Sequence, residues 1–523
     1  MSKVDSRYES EDVSFETLLD EVHSRDMKLV LDVVFNYTGN FGERNLFPMF
    51  ERNGSDLSSI DCLSMVENSG LPENYYSLNG GQQYDARIAN MKNTRDDGSD
   101  PNDIYHHYGN FSWESFGEQV AQIAGDCVDL NTENPIVAEY LVKCYGDFIR
   151  LGVDYFRIDT MKHISRLTLN NYILPGLYEY ARRCGNPNFY MFGEVCARVR
   201  EIWNHGIPAL SAPFYTWKET KEYPWEDKVT NLASIEQAYN DNSTSKNQPT
   251  SQNALLSGLN YHAPDHTMAS GTSVIDFPMH WNFYKAQDAF NVAKGNDKYY
   301  QDATYNVVYV DSHDYSPDDC QRLRYTGGTT AWAENMSLMF TFRGVPCIFY
   351  GSEIEFQKGK VIDDGPNTAL KDTGRAYYGD HLEGNVTASD FGEFTASGEV
   401  SNTLNSTLSK HLQKLNQIRA KVPALRKGQY TTSNVTSGNM AFTRRYTVGN
   451  IDSVACVSIS SGATFTGLPN GTYVDLVSGE RIQVTGGILT TGAISKGNAR
   501  IFVLENASTG PLSKIGDSLT YLK

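Results

Sequence analysis

No stretch of the 523 residues is apolar for long enough to cross a bilayer, so no membrane span is expected. Basic residues are in deficit, with 45 Lys and Arg against 63 Asp and Glu and a formal net charge of −18. Such a surface repels phosphate backbones and anionic lipid, which argues against nucleic acid or a membrane as partner and suits a neutral ligand such as a sugar. The eight cysteines (Cys62, Cys127, Cys144, Cys184, Cys196, Cys320, Cys347, Cys456) lack the paired short spacings of zinc or redox motifs. Neither such a metal site nor a redox compartment follows from them. Met1-Ser-Lys-Val-Asp leads in without the apolar stretch of a secretory signal. Aromatic residues, by contrast, are plentiful: they make up 12% of the chain, with 32 Tyr. Most such rings pack cores, and the remainder can stack on sugar faces.

The chain is longer than one hydrophobic core usually holds, which implies a large domain with one or two smaller ones. Ser14 is placed to cap a helix with Phe15, Leu18, Leu19 and Val22 on one face, ending near Arg25 before the buried strand Leu29–Phe35. Asn134-Pro135 opens a second helix with Val137, Tyr140, Leu141, Cys144 and Phe148 inward. Gly152 ends it, and a strand from Val153 to Ile158 follows. The pattern predicts a helix over 166–184, strands over 188–193, 272–279 and 305–311, a helix over 331–342, a strand from Val345 to Tyr350, and a helix carrying Leu408, Leu412, Leu415 and Ile418 that ends near Pro423. Strands alternating with helices imply a parallel sheet, and this many repeats favour a closed (β/α)8 barrel over an open doubly wound sheet. The barrel is assigned to residues 1–37 and 129–425, interrupted by an inserted domain at 38–128. A β-sandwich-like domain at 426–510 and a tail at 511–523 follow. The segments 196–270 and 352–404 read as loops rimming a cleft.

Functional side chains of a parallel barrel gather at the carboxyl ends of its strands. Here those ends read Asp32-Val-Val-Phe-Asn36-Tyr37, Arg157-Ile-Asp159-Thr-Met-Lys162-His163, Gly193-Glu194 and Asp311-Ser-His313-Asp314. Three carboxylates, Asp159, Glu194 and Asp314, therefore stand at three separate strand ends. Breaking a glycosidic bond needs a proton for the leaving oxygen and stabilisation of an oxocarbenium-like centre, which a pair of carboxyl groups supplies. Arg157 lies two residues before Asp159, on the same strand face, where its guanidinium would hold Asp159 ionised. Any single acid at a strand end is more often a cap or a solvated charge. Asp32, inside an apolar run, suits a structural hydrogen bond or ion pair. The joint pattern carries the reading.

These segments resemble, in order, the four signatures of the α-amylase family: the Asp32–Tyr37 segment, Gly152–His163, Phe192-Gly193-Glu194-Val and Val310–Asp314. Cys127-Val-Asp129-Leu-Asn131 and Gly344–Gly351 look like two accessory signatures. The resemblance covers nearly the whole chain up to Pro423 and implies a retaining glycosidase on a (β/α)8 barrel. It makes Asp159 the nucleophile, Glu194 the general acid/base and Asp314 the residue that binds sugar hydroxyls and stabilises the transition state. Arg157 and His313 would orient these groups. The Lys162-His163 pair is similar to that of enzymes acting on α-1,4-linked glucans, which implies starch-like polymer or maltooligosaccharide as the substrate. Hydrolysis and glycosyl transfer remain alternatives, as does a glucan-binding protein without turnover.

The resemblance also implies calcium where the inserted domain meets the barrel, with Asn36, Asp129 and the His163 carbonyl as ligands; hydrogen bonding between the Asn36 and Asp129 loops is the alternative. Tyr37 stands where the family usually has His, and it would meet the sugar in the central subsite. Lys3-Val-Asp5-Ser-Arg7-Tyr8 looks like the segment after the family's second barrel strand, so a barrel without its first two strands and first helix is expected. Action outside the cytoplasm is implied, with any signal peptide preceding Met1.

Overall fold

The structure is a computed structural model that describes residues 4–38, 72–83, 85–86, 103–108, 112–123, 127–388 and 393–523. Most of the expected inserted domain at 38–128 lies outside the described residues, as does Cys62. The chain forms two compact units: one of residues 1–198, 203–248 and 268–275, the other of 199–202, 249–267 and 276–523.

The first unit is built on four parallel strands in the order β1 (Val30–Val34), β2 (Tyr155–Asp159), β3 (Tyr190–Gly193) and β4 (Ser273–Val274). Helix α1 (Phe15–Ser24) precedes β1, and its start is set by a reciprocal cap between Ser14 and Thr17. Helix α2 (Pro135–Leu151) precedes β2. Asn134 accepts the Ile136 N–H, proline occupies the first turn, and Gly152 ends the helix at φ +116°, a conformation that costs glycine little. Val137, Leu141, Cys144 and Phe148 are buried as their spacing predicts. Leu18 of α1 is not: it is 46% exposed, while Leu19 beside it is buried.

The expectation of a buried first strand also needs correcting. Val30 and Asp32 are exposed, and of Val30–Val34 only Val33 is buried. The reason is position, because among the described residues β1 pairs with β2 alone and forms an edge. The expected helix over 166–184 contains a wide turn at Leu169–Ile173 before α3 (Leu174–Arg183).

In the second unit, the strand expected over 305–311 shortens to Val307–Val308, which pairs in parallel with Val345–Pro346. The strand expected over 272–279 stops at Val274. The Asp276 carboxylate accepts the Met279 N–H and caps the helix Phe277–Asn282. Helices Ala286–Asn296, Thr329–Thr341 and Thr407–Lys421 follow. Beyond them lie a six-stranded antiparallel sheet and a three-stranded sheet, whose core includes Phe465, Tyr473, Val484 and Phe502. Residues 511–523, expected as a tail, are tied down. The Lys414 ammonium donates to the carbonyls of Val477, Asp517 and Leu522 at 3.0, 2.7 and 3.1 Å, and Leu522 is fully buried. Among the described residues no helix is long and apolar enough to cross a membrane.

Candidate active site

Strand register assembles the first part of the site. Asp32 on β1 pairs in register with Arg157 on β2, Val34 with Asp159, and Ile158 with Gly193, so Glu194 emerges level with Asp159 at the ends of neighbouring strands. The Arg157 guanidinium then reaches three carboxylates. One nitrogen donates to Asp32 at 2.9 Å and to Asp159, and another donates to Glu194 Oε2 at 3.0 Å. Asp159 and Glu194 are thus brought to a single cation from neighbouring strands. Their side chains keep 18% and 11% of their surface, so both are largely sheltered yet reachable.

Burial by itself would lower the basicity of Arg157. The negative charges of Glu194, Asp32 and Asp159 outweigh it and raise the pKa above the ordinary value. The arginine therefore stays charged, and charge-assisted hydrogen bonds of this kind orient carboxylates strongly. The Tyr37 hydroxyl donates to Asp159 Oδ2 at 3.1 Å. Burial, then the nearby Asp159 charge, push the phenol well above its usual range, so it remains a donor. The Thr160 N–H donates to Glu194 Oε2 at 3.2 Å.

Lys162 and His163 turn inward. Lys162 is 1% exposed, and its ammonium lies 2.8 Å from the buried carboxylate of Glu118, with the Trp113 ring 5.7 Å away. His163 donates from Nδ1 to the Glu118 carbonyl at 2.8 Å. Burial pushes its pKa down to about 4, which keeps the ring neutral. Both residues are thus held by the segment around Glu118, a partner that lies outside every sequence motif and gave no pattern to find it by.

Asp129 accepts from His106 at 2.6 Å, and the other nitrogen of His106 lies 2.7 Å from Glu133. Burial is the largest influence on Asp129 and pushes its carboxyl up to about 7. Asn36 accepts the Thr160 hydroxyl through Oδ1, while its buried Nδ2 has no hydrogen-bond partner among the described residues. Half a turn of that amide would let Nδ2 donate to the Thr160 oxygen and leave Oδ1 open. An amide oxygen and a carboxylate are ligand types that a hard cation takes, but the Asp129 carboxylate already faces His106, whose pKa, although burial lowers it, is raised to about 10 by its hydrogen bonds to Asp129 and Glu133. Among the described residues no three His, Cys, Asp or Glu side chains are grouped for a metal, so calcium here would rely on amide and carbonyl oxygens around the single carboxylate of Asp129.

His313 and Asp314 belong to the second unit. They sit in a tight turn in which the Ser312 N–H donates to the Tyr315 carbonyl and the Ser312 hydroxyl accepts the N–H groups of Asp314 and Tyr315. His313 Nε2 lies 3.0 Å from Asp314 Oδ2. Arg375 donates to Asp314 Oδ1 at 2.9 Å. Sequence reading did not single out Arg375, which stands 61 residues further on inside a polar insertion. Asp311 of the same signature is buried between Arg324, at 3.1 Å, and the Ser352 hydroxyl, at 2.7 Å.

The strand-end site lies within residues 1–428, which match the family model of the alpha amylase catalytic domain. The chain is a member of the α-amylase family. It is 22% identical over 526 residues to the cyclomaltodextrin glucanotransferase of Bacillus sp. (strain 38-2), an alignment spanning 95% of this chain and 54% of that protein. It is 25% identical over 241 residues to an alpha-amylase of Streptomyces lividans, spanning 42% of this chain and 24% of that one. The chain spans about half the length of the first of these relatives. Among solved structures, an Anoxybacillus alpha-amylase superposes with a TM-score of 0.54 at 17% identity, covering 98% of this chain and 82% of the other. The family implies a (β/α)8 barrel followed by a C-terminal β domain; among the described residues the parallel strands form a four-stranded sheet and a separate pair, without barrel closure.

Proposed function

We propose that this chain cleaves α-1,4-glucosidic bonds in starch-like glucans or maltooligosaccharides with retention of configuration, through a covalent glycosyl-Asp159 intermediate. The observation that carries this reading is the Arg157 guanidinium bonded to both Asp159 and Glu194. It supplies the ionised carboxylate that a nucleophile needs, beside a second carboxyl group. In the first step, with Glu194 in its protonated form and Asp159 ionised, Asp159 attacks the anomeric carbon while Glu194 gives its proton to the departing glycosidic oxygen. In the second step Glu194, now a carboxylate, takes a proton from water as that water attacks the same carbon, and Asp159 leaves. Arg157 and Tyr37 hold Asp159 during both steps. Asp314 is assigned to the sugar hydroxyls and the transition state on its motif, with His313 as its orienting partner.

Calcium, held by Asn36, Asp129 and the His163 carbonyl, would supply positive charge that anchors these loops. It takes no part in the bond exchange.

Transfer to a second sugar, with a glucan hydroxyl in place of water, is the second reading. The relatives named cyclomaltodextrin glucanotransferase favour it.

The test is reducing-sugar release from soluble starch with calcium, beside the Asp159→Asn variant. Release by the parent chain alone supports the reading. Products longer than the input from maltoheptaose assign transfer. Starch binding without release, unchanged by Asp159→Asn, would overturn catalysis and leave a glucan-binding protein.

A further inference from the structure

The guanidinium of Arg375 is placed as a fork with three separate acceptors. Its Nε donates to the His313 carbonyl at 2.7 Å, one terminal nitrogen to Asp314 Oδ1 at 2.9 Å, and the other lies 2.9 Å from Asp363 Oδ2. The Arg375 N–H is itself fixed on the Thr373 hydroxyl at 3.2 Å. Asp314 therefore has each of its two oxygens engaged from a different side, Oδ2 by His313 and Oδ1 by Arg375. A carboxylate held through one oxygen can still turn about its side-chain torsions. Held through both, and with the backbone carbonyl one residue back gripped by the same guanidinium, it has one orientation.

The pair does little for folding. Arg375 and Asp314 are each about one-third exposed, and ion pairs that open to water contribute little to stability. A planar five-donor group spent on a weakly stabilising contact points to orientation as its purpose.

We propose that Arg375 is a positioning residue for Asp314, one that sets the carboxylate's orientation and acts on the reaction only through it. This rests on the functional reading above, in which Asp314 meets the sugar. Because a misplacement of about 1 Å at a reacting group can cost about 100-fold in rate, the effect belongs in kcat. Asp363, on the far side of the guanidinium, fixes the plane of the fork and has a smaller share.

The experiment compares the parent chain, Arg375→Ala, Arg375→Lys and Asp314→Asn on maltoheptaose, with melting curves of each and a crystal structure of Arg375→Ala. The expected result is a kcat about 100-fold lower in Arg375→Ala, with KM within about threefold and the melting temperature within about 2 °C of the parent. Added guanidinium ion restores part of the kcat of Arg375→Ala and none of that of Asp314→Asn. Arg375→Lys, which keeps the charge but cannot fork, recovers less than the parent rate. A kcat within threefold of the parent in Arg375→Ala, or a loss that guanidinium does not relieve with Asp314 unmoved in the crystal, overturns the proposal. Should the parent chain turn over no glucan at all, the functional reading fails by itself and the crystal structure decides. Asp314 turned from its present rotamer upholds Arg375 as its positioner, and Asp314 in place refutes it.

Discussion

Tyr37 is the residue at which this chain departs from its family's usual histidine, and the structure gives the replacement a defined contact. Its hydroxyl donates to Asp159 Oδ2 while Arg157 holds the other oxygen. A hydrogen bond to a charged group contributes about 1.5–3 kcal/mol, so Tyr37→Phe should lower kcat on maltooligosaccharides by roughly 10- to 150-fold, read in steady-state kinetics. The ring remains to pack, so the melting temperature should hold. Asp159, Glu194 and Arg157 were legible in the sequence because the chemistry prescribes residue types at strand ends, and strand alternation sets which of them share a face. Glu118 and Arg375 were not legible. Each acts on a motif residue from a distant, irregular segment, and no period in the sequence ties Glu118 to Lys162 or Arg375 to Asp314.

Among the elements, β3 shows how closely the site is built on backbone packing. Gly193 precedes Glu194, and a side chain there would put its Cβ 2.2 Å from the Met161 sulfur. Met161 is fully buried within the Asp159–His163 turn, so it has nowhere to retreat. Gly193→Ala should therefore displace that turn and Glu194 together. The expected outcome is a loss of at least about 100-fold in kcat and a destabilisation of about 1–3 kcal/mol, read by kinetics and by urea unfolding. Helix α2 was legible from end to end because Asn134, Pro135 and Gly152 are local signals whose effect needs no partner. Edge strand β1 was misread as buried. An apolar run states only that a strand can be covered, and coverage depends on neighbours that the run does not encode.

For the molecule as a whole, the consequential question is how charge buried near the motif loops is balanced. Asp129, whose carboxyl is pushed up by burial and pairs with His106, and Asn36, whose buried Nδ2 has no partner among the described residues, are the proposed calcium ligands. Calcium at a concentration 100 times its dissociation constant would stabilise the folded state by about 2.7 kcal/mol. Thermal melting should therefore shift upward with calcium and downward with a chelator, and Asp129→Asn should abolish the difference between the two. Equal melting temperatures in calcium and in chelator would remove the metal from this site.

In the sequence alone, local propensity and periodicity carried the strand-and-helix order and the C-terminal β domain, while the resemblance to signature motifs carried the family and proposed Asp159, Glu194 and Asp314 as the reacting carboxylates. Tertiary structure alone decided that the guanidinium holding Asp159 would also reach Asp32 and Glu194, that Lys162 would turn inward onto Glu118, that Arg375 would grip Asp314, and that the last residues would be anchored by Lys414. These are contacts between segments far apart along the chain. Their partners are chosen by which side chains the folded backbone brings within a few ångströms, and that choice is made only once the strands are in register.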